Sequence, residues 1–261
     1  MKQLILFFLL GANIAAQAQF FYYPFPPEKS EYILNENAKV KIGYEYRLTD
    51  NEKLLYRTLE YGNEGLPVAL YESGLHYNGD SAVITTNYYK YKEERLIEDD
   101  MVFHYQDDAG YTIAYTYDDT GKLLSKIVID IDPITYTYMY DKFGKITQAD
   151  ISLKMPDSNG NPIDIPNGRC TYSYNENGKL MQEIRYSKDN EKQFTYTWEY
   201  NNKGQIVKVS GTSAEEQTFY ECLLEYGKNN LLSKRTANNQ DEDSEVYIYE
   251  YCTDCKQSRM K

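Results

Sequence analysis

The sequence predicts an all-β fold, an array of antiparallel β-hairpins forming a twisted, curved meander sheet or a partial barrel. Three observations carry that prediction. A phrase recurs: alternating aromatics, then Asp or Asn, two free positions, Gly, Lys or Gln, and Leu or Ile. It stands at Tyr115–Leu123, Tyr138–Ile146, Tyr172–Leu180 and Trp198–Ile206. The last aromatic of each phrase is an anchor, and from Tyr91 the anchors Tyr117, Tyr140, Tyr174, Tyr200, Tyr226 and Tyr251 follow at steps of 26, 23, 34, 26, 26 and 25 residues. A period in the twenties with strand patterning implies one hairpin per unit. The composition agrees: 29 Tyr against 9 Phe and one Trp suits half-buried sheet faces, because Tyr joins an apolar ring to a polar tip.

The chain opens on an address. Lys2, the apolar stretch Leu4 to Leu10 and Ala16-Gln17-Ala18 read as a secretory signal peptide over residues 1–18, cleaved near Ala18. The apolar run is too short to span a bilayer, which predicts an exported chain, secreted, periplasmic or on the cell surface, with no membrane insertion after cleavage. Residues 19–40 follow as an extended segment led by Phe20-Phe21-Tyr22-Tyr23-Pro24-Phe25-Pro26-Pro27. It either caps an exposed sheet edge or serves as a sticky leader. Residues 41–255 form the hairpin repeat domain, with earlier anchors at Tyr46, Tyr91 and, more weakly, Tyr61. Residues 256–261 are a short basic tail.

Each unit has two faces and one turn. Two and four residues before the anchors stand Tyr115 and Ile113, Tyr138 and Tyr136, Tyr172 and Cys170, or Trp198 and Tyr196, whereas the intervening position holds Thr116, Thr137, Ser173 or Glu199. That is period-two alternation with one buried face. Asp118, Asp141, Asn175 and Asn201 supply the short acceptor that opens a type I turn, and Gly121, Gly144, Gly178 and Gly204 fall where the chain turns left-handed. Asn230 takes the glycine position after Tyr226, and Asn tolerates that conformation. The return strands begin at Leu123, Ile146, Leu180, Ile206 and Leu232.

The phrase Tyr-Asp-x-x-Gly-Lys-Leu resembles the YD repeat of Rhs-type and teneurin-type extracellular proteins, closely over residues 87–235 and loosely over 41–86. A weaker similarity is to MORN-like repeats. The YD resemblance implies curved antiparallel sheets and a role in interaction outside the cell. This chain departs from the large members in having about eight units, no core-processing motif and no toxin-like tail.

The 34-residue step contains an insert, Lys154 to Arg169, which reads as an Asn-Gly loop. Its Asp157, Asn159 and Asn161 are spaced like calcium ligands, but Gly168 stands where an EF-hand needs Glu. Of four cysteines, Cys252 and Cys255 are the disulfide candidates. Cys170 and Cys222, two units apart, read as buried small hydrophobes, or pair if the sheet curls strongly.

No catalytic, cofactor or metal site emerges. Asp107 with Asp108, and Asp130 with Asp132, could pair as glycosidase carboxylates, but 40 acidic residues produce such pairs by chance. His76 and His104 lack triad or metal-site neighbours. A net charge of -12 argues against nucleic acid and anionic lipid. The expectation is a non-enzymatic interaction module at the cell envelope, binding glycan or an envelope protein. A purely structural scaffold is the alternative and a glycan hydrolase a distant one. Exposure of the aromatic rings separates the first two, with off-parity rings such as Tyr88 as the binding candidates.

Overall fold

The computed structural model describes residues 40–49, 52–62, 65–75, 81–104, 109–130, 132–156, 160–215, 217–227, 230–239 and 244–253. The signal peptide, the aromatic leader, His76, Asp107, Asp108, Asp157, Asn159, Cys255 and the basic tail lie outside the described residues. Sixteen strands follow in order: β1 (Ile42–Leu48), β2 (Lys53–Tyr61), β3 (Pro67–Leu75), β4 (Ser81–Lys92), β5 (Arg95–Phe103), β6 (Ala109–Tyr117), β7 (Leu123–Ile129) and β8 (Ile134–Tyr140). Then come β9 (Ile146–Pro156), β10 (Pro162–Tyr174), β11 (Leu180–Tyr186), β12 (Lys192–Tyr200), β13 (Ile206–Ser213), β14 (Thr218–Tyr226), β15 (Leu232–Asn239) and β16 (Glu245–Cys252). Each strand neighbours the next, and β1 also pairs antiparallel with β16, from Ile42 opposite Cys252 to Leu48 opposite Val246. The sequence foresaw a sheet that curls; the hydrogen-bonded order closes into a barrel. By contact density the chain divides into two compact units, one of residues 1–87, 224–236 and 245–261, the other of residues 88–223 and 237–244.

In the second unit the repeated turn has one geometry. The Gly144 amide donates to the Asp141 carbonyl at 3.1 Å, and the Asp141 amide donates to the Lys145 carbonyl at 2.9 Å. The Asp141 carboxylate accepts from the amides of Phe143 at 2.8 Å and Lys145 at 2.9 Å. Gly144 sits at φ 82°, and in the first unit Asn230 takes the same left-handed conformation at φ 62°, as the spacing requires. This is a type I turn followed by a glycine bulge.

The anchor tyrosines tie each unit to the one before. The hydroxyl of Tyr140 donates to the Leu123 carbonyl at 2.7 Å, Tyr174 to Ile146 at 2.8 Å and Tyr200 to Leu180 at 2.7 Å. In the first unit Tyr251 donates to Leu232 at 2.9 Å. The lysine after the turn glycine also reaches forward: Lys122 Nζ lies 5.4 Å from the Tyr140 ring centre and Lys145 Nζ 5.5 Å from that of Tyr174. The Gly-Lys pair and the anchor are therefore parts of one joint between neighbouring hairpins.

The bulge shifts the phase of every return strand. Tyr174 faces Leu180, but Tyr172 faces Glu183 and Cys170 faces Arg185. Likewise Tyr115 faces Lys126, Tyr138 faces Ala149 and Trp198 faces Val209. Directly opposed residues share a face, so the inward positions lie six, nine and eleven residues past the anchor. Simple alternation from Leu180 would turn Gln182 inward. The structure turns Glu183 and Arg185 inward instead.

Two expectations are corrected. Tyr46 is not an anchor in phase with the others: Glu45 pairs with the inward Tyr249 and is buried, and a bulge separates Glu45 from Tyr46. The described residues of the insert, 154–156 and 160–169, are largely strand rather than loop. They lengthen β9 and β10 into an arm, in which Met155 opposes Ile163 and Leu153 opposes Ile165. The pairing of β8 with β9 ends at Leu153 and that of β11 with β10 at Arg169, so the arm runs past both neighbours.

Candidate functional site

Charged side chains gather on the inward face in two places, one within each unit. In the first unit Glu45 Oε1 accepts from Arg235 Nη2 at 2.6 Å and from the Tyr249 hydroxyl at 3.0 Å, while its Oε2 lies 3.6 Å from Arg57 Nη1. Arg57 Nη2 lies 3.3 Å from Glu72 Oε2, and the Tyr56 hydroxyl donates to Glu72 Oε1 at 2.7 Å. Arg235 covers the Tyr247 ring at 3.8 Å and Arg57 the Tyr56 ring at 4.4 Å. Glu45, Arg57 and Arg235 are at most 3% exposed. Burial opposes the charge of Arg57, but Glu72, Tyr56 and Glu45 more than offset it and hold its pKa above the ordinary arginine value. Two carboxylates balance two guanidiniums, and ligand access is negligible. This network specifies packing.

The second unit's cluster differs. Lys126 on β7, Glu183 and Arg185 on β11, Cys170 on β10 and Tyr196 on β12 share the inward face through the opposed pairs of β6–β7, β10–β11 and β11–β12. Lys126 Nζ stands 4.2 Å from the Tyr136 ring centre. Burial pulls the Lys126 ammonium below its ordinary pKa, against the attraction of Glu183, and pushes the Glu183 carboxyl up. Yet by accessible area Lys126, Glu183 and Arg185 are only half-buried. Burial drives the Tyr196 phenol up to about 12. It also raises the Cys170 thiol, with Glu183 adding to the shift, so Cys170 is a poor nucleophile at neutral pH.

The residues singled out from the sequence take other places. Asp130 and Asp132 are exposed beside the β7–β8 connection, with no enclosing cleft described around them. Cys170 and Cys222 are buried thiols, and Cys252 takes part in a disulfide. Trp198 is 3% exposed and belongs to the core. His104 is exposed at the end of β5. Among described aromatics, Tyr88 is 45% and Phe143 77% exposed. The inward charges escaped the sequence reading because the bulge was not counted. Their signal was present: Lys126, Glu183 and Arg235 all stand nine residues past an anchor.

No family model and no curated protein matches the chain. Solved structures similar to it include a porin-like protein from Bacteroides uniformis, at 14% identity and TM-score 0.47, covering 81% of this chain and 96% of that one. The TcdB2-TccC3-Cdc42 complex matches at 12% identity and TM-score 0.30, over 83% of this chain and 16% of that one. A DUF1329 family protein from Desulfovibrio piger matches at 9% identity and TM-score 0.26, over 88% and 95%. Similarity at these levels assigns neither family nor activity, and the chemistry rests on the residues themselves.

Proposed function

We propose that the chain is an exported, non-enzymatic interaction module that docks a protein partner at the cell envelope through the β9–β10 arm. The observation that carries this reading is the arm's apolar face. Met155, Ile163 and Ile165 continue the inward face of Ala149 and Ile151 beyond the neighbouring strands, and they are 41%, 44% and 39% exposed. The arm's edges are blunted. The Lys154 amide donates outward to Pro133, so Pro156, in phase with it, and the opposed Pro162 and Pro166 hold outward positions where a donor would otherwise stand. A partner is therefore met face-on. With a net charge of -12, the partner surface that complements it is an apolar patch with a basic rim.

A protein partner is favoured over a glycan because the aromatic face is spent on the core, with Tyr138, Tyr172 and Trp198 at most 8% exposed. The YD-like phrase and the leader support export. The outward strand faces carry ion pairs such as Lys208–Glu221 at 2.6 Å and Lys234–Glu225 at 2.8 Å, where a lipid-facing strand needs an apolar band.

The test is site-specific photo-crosslinking from position 163 in intact cells, repeated in an Ile163→Ser/Ile165→Ser variant with the probe at Met155. A discrete protein adduct that disappears in the variant at unchanged melting temperature is the expected result. No adduct, or one indifferent to the substitutions, overturns the docking role in favour of a scaffold. Glycan-array binding that survives the substitutions restores the carbohydrate reading.

A further inference from the structure

We infer that the outward face of β1 to β4 in the first unit is a seat for the chain's own aromatic leader, Phe20 to Pro27, laid across the strands. This seat is apart from the arm and does not depend on the docking proposal.

Register fixes the face. Glu45, Arg57 and Glu72 are opposed and point inward, so the alternate positions Tyr44, Thr58 and Tyr71 point outward, as do Ile42, Glu60 and Ala69. On β4, Thr85 donates to the inward Glu72 at 3.4 Å, which turns Thr86 outward. An outward position on a single sheet meets solvent, and elsewhere it does: Thr116, Thr137 and Ser173 in the second unit and Glu225 and Glu250 in the first are exposed. Ile42, Thr58, Ala69 and Thr86 are instead at most 4% exposed, and Tyr44, Glu60 and Tyr71 between them are half-buried. Val40, which leads into β1, is buried too. Burial raises the pKa of the Glu60 carboxyl above its ordinary value, as an apolar cover does.

The band is therefore covered. Among the described residues every regular element is a strand of the sheet itself, so none supplies a second layer. The connections of β1 to β4 outside the described residues, 50–51, 63–64 and 76–80, are too short to cross four strands and return. Two longer stretches continue from the border of the band, before Val40 and after Thr253. The second ends in Lys256-Gln257-Ser258-Arg259-Met260-Lys261, which has little apolar area to set against Ile42 and Ala69. The first, after signal cleavage, carries Phe20-Phe21-Tyr22-Tyr23-Pro24-Phe25-Pro26-Pro27. Its rings supply apolar area, and Tyr44 and Tyr71 offer ring faces to pack against.

Its prolines suit the path. A segment crossing strands makes no ladder bonds, and proline brings no amide donor to bury unpaired. Four strands spaced by about 4.8 Å span about 14 Å, which a polyproline-type segment covers in about five residues at ~3.1 Å each. Residues 28–39 reach up to ~40 Å, enough to bring the chain back to Val40. The closed strand order leaves β1 no free edge to cap; the leader covers a face instead.

The test places a photo-crosslinking residue at position 25 of the chain as the cell exports it and maps the adducts by mass spectrometry. Adducts within one molecule to the segments holding Ile42, Thr58, Ala69 or Thr86 are the expected result. Ala69→Arg and Thr86→Arg, which put a charge under the leader, should each reduce them about tenfold or more, whereas Ser173→Arg, at an exposed position, should not. Adducts between two copies overturn the proposal in favour of an exchanged leader, and adducts only to the arm, or none, overturn it outright. A leader variant tests the seat without altering it. Phe21→Ser/Phe25→Ser empties the seat, and a synthetic peptide of residues 19–28 should then bind in trans. A tethered segment acts at an effective concentration of about 1 mM, so a seat it keeps filled has a dissociation constant near or below ~0.1 mM. Calorimetric titration to about 1 mM peptide should therefore show binding to the variant and about tenfold weaker binding to wild type. No binding to the variant, or equal binding to both, overturns the seat.

Discussion

At the residue scale, the turn glycines differ in what they tolerate. Gly144 is left-handed at φ 82°, and an added Cβ there would meet nothing closer than the Lys122 chain at 3.9 Å, so Gly144→Ala should cost only the backbone penalty of about 1–2 kcal/mol. Gly168 combines φ 132° with a Cβ position inside contact of the Tyr186 carbonyl, and backbone cannot step aside as a lysine chain can. Denaturant melts should therefore rank Gly168→Ala well below Gly144→Ala. Lys145→Ala should fall within about 0.5 kcal/mol of wild type, since its ring contact is distant and partly solvated. Glu45→Gln is the severe case, because it removes from the core the carboxylate that Arg235 and Arg57 share, leaving Glu72 alone to pair with Arg57, and a loss of about 3 kcal/mol is expected. A melting curve that barely moves would remove the network from the stabilising core. The turn aspartates add a pH effect. Hydrogen bonds from the Thr120 side chain and the Lys122 amide lower the pKa of Asp118, and the Lys145 and Phe143 amides lower that of Asp141. Depressed pKa values contribute stability that is complete above the unfolded value near ~3.9 and is lost as pH falls through the folded values. The double variant Asp118→Asn/Asp141→Asn, which copies Asn175 and Asn201, should flatten melting temperature against pH below about 4.

At the element scale, the tyrosine staples are separable units. Tyr140→Phe and Tyr174→Phe each delete one hydroxyl donor to the preceding hairpin and should cost about 1 kcal/mol. The double variant should cost close to the sum, and a strongly non-additive result would show that the joints act cooperatively. Hairpin faces, turn type and left-handed positions were legible in the sequence because local alternation and turn chemistry decide them. The inward set of the return strands was not, because one bulge residue reverses parity. Glu183 reads as outward from Leu180 and points inward. The arm was missed for a related reason: Asn159-Gly160-Asn161 signals a turn, but the prolines at 156, 162 and 166 conceal strand on either side of it. Polar residues at the inward positions disguised the second cluster further, since a charged residue in a strand ordinarily marks the solvent face.

At the scale of the whole molecule, the closing pair decides whether the array is complete. Tyr251 and Tyr249 of β16 oppose Gly43 and Glu45 of β1, partners separated by about two hundred positions, and no local pattern marks strands so distant as neighbours. Curl was predictable from strand number; closure was not, because it depends on matched edges and accumulated register. A chain truncated after Ser244 loses β16, leaves β1 and β15 as open edges and deprives Glu45 of Tyr249. It should aggregate or fail to give a cooperative melt. A monomeric truncation product with a wild-type melting temperature would show that the seam is dispensable.

Closure also restricts how such a chain can change length. In a ring of alternating strand directions the first and last strands stay antiparallel only if strands are gained or lost in pairs. A duplication or deletion of one whole unit preserves the seam between β1 and β16, whereas gain of a single strand would set the two ends running the same way and break it. The repeat is thus the smallest heritable step in size that the ring admits, and growth between steps is diverted to the rims, where the β9–β10 arm stands.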